Sequence, residues 1–180
     1  GYITQSNISV TTGQTYTVSV YVKSTGVSSH FNLYAWSSQT QYLGSTSVAQ
    51  KLATPTEWTR YEFSFTAPNN AFAVGFNNPN NDGQGYYAMD FLFWGLQLEK
   101  SSAATNHIPS TDTFTSRLGN ATYVDSNGLI KTAYRNLVKN SQEFNQGTWL
   151  KANAAVTAPT FATAPDGTET ATKVTINQQS

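Results

Sequence analysis

The side chains able to do chemistry in this chain are few and scattered. Its two histidines, His30 and His107, stand far apart, and neither falls in a triad motif. Gly-x-Ser-x-Gly, His-Glu-x-x-His and a phosphate-binding glycine loop are all absent. Ten acids allow many carboxylate pairs by chance, so no pair is singled out for glycoside hydrolysis. The chain has no cysteine, which excludes disulfides and thiolate metal centres. These residues predict a protein that is not an enzyme.

The pattern that does point to chemistry is aromatic. Sugars present flat apolar faces and hydroxyl edges, so a glycan site needs an exposed ring flanked by amides or carboxylates. In "FNLYAWSSQTQY" (residues 31–42), Tyr34, Trp36 and Tyr42 stand among Asn32, Gln39 and Gln41. In a strand, Asn32, Tyr34 and Trp36 share one face, and Phe31, Leu33 and Ala35 the other. With the aliphatic face inside, the aromatic pair looks outward. With the larger rings in the core, the aliphatic face is the half-exposed one. Both orientations are open. Tyr61, Phe63 and Phe65 share a face and read as core; so do Trp94 and Trp149.

A second stretch, "YYAMDFLFWGLQLEK" (86–100), carries one acid, Asp90, among large apolar residues. Unbroken alternation puts Asp90 on one face with Leu92, Trp94, Leu96 and Leu98. An unpaired carboxylate there would cost several kcal/mol, so it needs hydrogen bonds, a cation or a position open to water.

The elements that must position these residues are strands. Period-2 alternation dominates the first hundred residues, as in Tyr16, Val18, Val20 and Val22 against Thr17, Ser19, Tyr21 and Lys23. Thr12-Gly13-Gln14, "ATPTE", "APNN" and "NNPNNDGQG" punctuate the runs. Residues 101–117 lose the pattern and read as an irregular connection that leaves the last strand at Glu99. Asn127-Gly128, between Tyr123-Val124 and Leu129-Ile130, predicts a type I′ β-hairpin over 121–133. The tail offers strand candidates at 149–156 and 170–176. The fold class predicted is all-β, an antiparallel β-sandwich of jelly-roll type plus a small hairpin.

Composition sets the limits. Charged residues make up 11%, and Ser, Thr, Asn and Gln supply 71 of 180, so hydroxyls and amides solvate the surface. Net charge is zero, without the basic footprint of a nucleic-acid binder. No apolar run reaches the roughly 18–20 residues of a membrane span, so no membrane insertion is expected. The only Met is Met89, so the sequence does not begin at a start codon.

Several stretches together resemble a module of phage tail-fibre and virion-surface proteins that is similar to carbohydrate-binding modules. They are Asn136-Leu137 through Ser141, Phe144 and Trp149; Ala164 through Val174; Gly13 through Lys23; Trp58 through Pro68; and Trp94 through Ser110, including "WGLQLEKSSAATNHIP". The order departs from the family: its opening comes last here, as though a tandem array had been cut within a module. The expected divisions are 1–110, the main part of the sandwich; 111–135, a connector with the hairpin; and 136–180, opening strands that complete a sandwich in the same or a neighbouring chain. An open half-sandwich would expose sheet edges and core.

The resemblance implies a structural protein of a virion surface or tail fibre, extracellular, meeting other copies of itself or other virion proteins through strand contacts. The alternative it implies is a module binding host-surface glycan, with Tyr34, Trp36, Tyr42, Asn32 and Gln41 as the site. Similar jelly rolls often hold a structural calcium, which implies Asp90 with Asn136 and Glu143 as ligands once the tail docks. The other reading of Asp90 is hydrogen bonding to neighbouring backbone or hydroxyls.

Overall fold

The computed structural model describes residues 1–26, 30–37, 49–53, 55–68, 71–77, 89–110, 122–124, 127–132, 135–157 and 161–176. Every regular element among them is a strand: β1 (Tyr2–Ser9), β2 (Thr15–Ser24), β3 (His30–Ser37), β4 (Ala49–Ala53), β5 (Thr59–Thr66), β6 (Ala71–Asn77), β7 (Met89–Glu99), β8 (Thr122–Val124), β9 (Ile130–Thr132), β10 (Leu150–Ala152), β11 (Ala154–Val156) and β12 (Thr172–Ile176). They form two five-stranded antiparallel sheets. Sheet A runs β10-β1-β6-β3-β4, and sheet B runs β11-β12-β7-β2-β5. The pair β8–β9 is the hairpin expected from Asn127-Gly128, with Val124 opposite Ile130.

The alternation sorts side chains between the core and the two outer faces. Ile3, Leu33, Val74 and Phe76 from sheet A meet Val18, Val20, Phe91 and Phe93 from sheet B in one cluster. Phe76 stacks on Phe93 at 3.8 Å across the sandwich, and Phe31 meets both Phe91 and Phe93. The turn at Gly13 (φ +79°) carries the chain from sheet A into sheet B. Positive φ is a conformation glycine adopts without steric cost.

The tail docks within the same chain. β10 pairs with β1, β12 with β7, and β11 with β12. One residue, Asn153 at φ +49°, swings the chain between the two sheets. Val138, Phe144, Val174 and Ile176 are wholly buried in the common core, with Trp149 beside them. Each such aliphatic or phenyl side chain contributes roughly 1.5–3 kcal/mol over an exposed one.

Two features of β7 correct the alternation argument. The pairing of β2 with β7 shifts between Ser19 and Tyr21, beside Gly95 at φ +65°. This bulge inverts the parity of the strand. Phe91 and Phe93 precede it in the core and Leu96 and Leu98 follow it there, while Asp90, Leu92, Trp94, Gln97 and Glu99 face outward. Asp90 therefore does not share a face with Leu96 and Leu98. Trp94 is buried, but outside the main core, in a cluster with Ala164 and Ala171 against Tyr21 and Trp58.

The second correction concerns the chain after Glu99. It does not leave the sandwich but lies over the outer side of sheet B. The fully buried Glu99 carboxylate accepts from Thr105 N (2.9 Å), Thr105 Oγ1 (2.5 Å) and Gln97 Nε2 (2.5 Å). Gln97 Oε1 accepts from Ile108 N at 2.7 Å, and Thr17 Oγ1 donates to Ser101 O at 2.9 Å. Residues 101–110 are thus a strap pinned by the outward side chains of β7.

Candidate functional site

The outer face of sheet A carries the aromatic pair. Phe31, Leu33 and Ala35 point into the core, which leaves Asn32, Tyr34 and Trp36 on the outside. Register places them in rows with β6 and β1: Asn32 beside Asn77 and Tyr2, Tyr34 beside Gly75 and Thr4, and Trp36 beside Ala73. Adjacent strands lie about 4.8 Å apart, so each three-strand row spans about 10 Å.

Gly75 shapes this face. A Cβ there would meet the Ile3 carbonyl and stand 2.9 Å from Tyr34 Oη. The tyrosine therefore lies across the glycine rather than standing off the sheet. Tyr34 is 5% exposed, and Trp36 packs against it edge-on, with ring centroids 6.3 Å apart and planes at 81°. Trp36 is half-buried and opposite the small Ala73. The pair works as a unit in which Tyr34 is the bed and Trp36 the partly open ring. On the same face Asn32 is buried, and its Oδ1 lacks a hydrogen-bond partner among the described residues. An unsatisfied buried acceptor costs about 1–3 kcal/mol. Gln41 and Tyr42 lie outside the described residues.

The residues considered for calcium are placed apart. Asp90 meets Lys173 Nζ at 2.7 Å and Thr175 Oγ1 at 3.3 Å, both on β12. Asn136 is buried near the other end of β7. Its Oδ1 accepts from Leu98 N (3.1 Å) and Val138 N (3.0 Å), and its Nδ2 donates to Leu96 O (3.0 Å) and Ile108 O (3.2 Å). Glu143 is exposed. Six residues of strand separate Asp90 from Leu96, about 20 Å. Among the described residues, no three His, Cys, Asp or Glu side chains cluster in a way that would hold a metal.

His107 sits in the strap, 4.3 Å from the Trp94 ring and against Gly95, with Ser141 Oγ at 3.5 Å from Nε2. Burial, with the Arg60 charge second, pushes it down to about 4 against a weaker upward pull from Asp166. The ring is therefore neutral at pH 7.

Sequence reasoning missed Gly75 and Asn77 as partners of the aromatic pair. The signal was present in "FAVGFN", where alternation puts Ala73, Gly75 and Asn77 on one face.

A family model described as "Carbohydrate binding domain" matches residues 1–77, a span that contains β1, β3 and β6 and so the whole aromatic face. No curated protein matches the chain. The first 77 residues are thus similar to a carbohydrate-binding domain, and the fold is the β-sandwich expected of one.

Proposed function

We propose that this chain is a glycan-binding module and that a sugar ring stacks on Trp36 at the outer face of sheet A. The half-buried Trp36, packed edge-on against Tyr34 on the outer face of sheet A, is the observation that carries this reading. Its support from outside the structure is the likeness of residues 1–77 to a carbohydrate-binding domain. Binding is by stacking of C–H groups on the indole, in the row that pairs Trp36 with the small Ala73. Nothing in this mechanism breaks a bond. We place the module on an exterior structure such as a tail fibre. That setting rests on the sequence resemblance carried by "WGLQLEKSSAATNHIP".

The test is affinity electrophoresis of the chain and of Trp36→Ala through gels containing neutral polysaccharides, preceded by a glycan array to choose them. A well-packed aromatic anchor is worth about 2 kcal/mol or more on truncation, about 30-fold in affinity. Retardation of the parent and its loss in Trp36→Ala, with both proteins melting within about 2 °C of each other, is the expected result. Equal retardation of the two, or no glycan bound at all, overturns the proposal.

A further inference from the structure

A second polar surface lies on the flank of the sandwich, along β1 and two strands from β3, which carries Trp36. Along β1, pairing with β10 stops at Thr4, whereas pairing with β6 continues past a bulge to Ser9. Asn7, at φ +60°, turns the strand at that bulge. Against this edge lies a groove of about 590 Å3, with Ser6 and Asn7 on one wall and Arg135, Leu137, Lys139 and Thr148 on the other.

Amide side chains fix both walls. Lys139 N donates to Gln5 Oε1 at 2.7 Å, and Gln5 Nε2 donates back to Lys139 O at 2.9 Å, tying the tail to β1. Arg135 is followed directly by Asn136, whose amide holds four backbone groups. The groove is therefore formed before a ligand arrives, which lowers the ordering cost of binding.

The charged side chains lining the groove among the described residues are cations. Lysine and arginine number ten, balanced by ten acids. Two of those ten cations line this groove, and no acid does among the described residues. Elsewhere Lys173 meets Asp90, Lys23 meets Glu57, Lys151 Nζ donates to three backbone carbonyls, and Arg60 donates to Ser19 Oγ over the Tyr21 ring. Lys139 is exposed, and its ammonium has no such neighbour among the described residues. Thr148 Oγ1 accepts from Asn140 Nδ2 at 3.0 Å, so its own proton is left to donate.

We infer that this groove binds a carboxylate-bearing sugar of an acidic glycan. The carboxylate lies between the Arg135 guanidinium and the Lys139 ammonium. Ser6, Asn7 and Thr148 meet the ring hydroxyls, and Leu137 lies under a C–H face. This site does not depend on the aromatic face.

Calorimetry on the full chain tests it, with oligogalacturonate as the acidic probe, an oligogalactose of equal length as the neutral one, and inorganic phosphate as the bare anion. The uronate binds, binds more weakly as ionic strength rises, and loses at least about tenfold in affinity in Arg135→Ala/Lys139→Ala. Trp36→Ala leaves this binding unchanged, which separates the groove from the aromatic face. Both groove residues are exposed, and Lys139→Glu gives the same loss by charge reversal should the double variant fold poorly. Equal binding of acidic and neutral oligosaccharides by Trp36→Ala, full uronate affinity in the groove variants, or phosphate binding as tightly as the uronate would each overturn the inference.

Discussion

Asn136→Ala tests how the tail is held. Asn136 is 2% exposed, and its single amide satisfies Leu98 N, Val138 N, Leu96 O and Ile108 O, one contact each. It therefore joins three segments: β7, the strap and the start of the tail. A buried polar group that loses its partner costs about 1–3 kcal/mol. If water or small shifts rescue half of the four, the loss is about 3–5 kcal/mol, at the upper end for one substitution. In a domain of this size each kcal/mol moves Tm by about 2–4 °C, so Tm falls by about 10 °C. Asn136→Asp is at least as damaging: it removes both donors and sets a negative charge against two carbonyls. Scanning calorimetry of parent and variants, each with added calcium and with chelator, is the assay. Both lone pairs of Asn136 Oδ1 are already used, so calcium does not shift Tm through this residue. An alanine variant melting within about 2 °C of the parent refutes the reasoning. So does a calcium-dependent rise in the parent that the variant lacks.

Two further outcomes follow from the strap. Gly95→Ala lowers stability by at least about 2 kcal/mol, from the φ of +65° and from a Cβ 2.8 Å from His107 Cδ2. Adding His107→Ala recovers the steric part of that loss in urea denaturation, and strict additivity of the two substitutions would argue against the contact. His107 itself gives a pH signature. Its pKa lies below the unfolded value of 6.5 and falls to about 4, so only the unfolded chain takes up this proton between those values. Its contribution is complete above pH 6.5, drains away as pH falls toward about 4, and loses nothing more below that. Discounted for partial exposure, the change is about 1–2 kcal/mol. His107→Gln flattens the pH–stability curve in that window, and identical curves would exclude this role.

Much of the sandwich was legible in the sequence because alternation is a local property that two packed sheets preserve. Tyr16 through Val22 and Phe31 through Ala35 sort onto core and outer faces as the pattern requires. The face of Asp90 was not legible, for a physical reason. Parity carries along a strand only until a bulge, and "FWGLQ" hides one at Gly95. A glycine inside an apolar strand was the available warning. The strap was missed for the opposite reason. Gln97, Glu99, Thr105 and Ile108 are joined by side-chain-to-backbone bonds that leave no periodic trace. Its hydroxyl-rich, pattern-free sequence reads as a free loop although the chain there is tightly fixed.

For the candidate site, sequence could name the rings but not their exposure. Tyr34 and Trp36 stand on the same outer face, yet the first is covered and the second partly open. Gly75, about forty residues away in sequence but directly beside Tyr34 in register, leaves room for the tyrosine. Without a side chain at 75 the tyrosine lies across the sheet, and Trp36 packs edge-on against it. The flank groove was less legible still, because it joins Ser6 and Asn7 to Arg135 and Lys139 across about 130 residues. Their approach depends on the Gln5 amide pairing with the Lys139 backbone, a contact no local pattern encodes. A Gln5→Ala substitution should therefore weaken uronate binding through the geometry of Lys139, while leaving binding at Trp36 as it was.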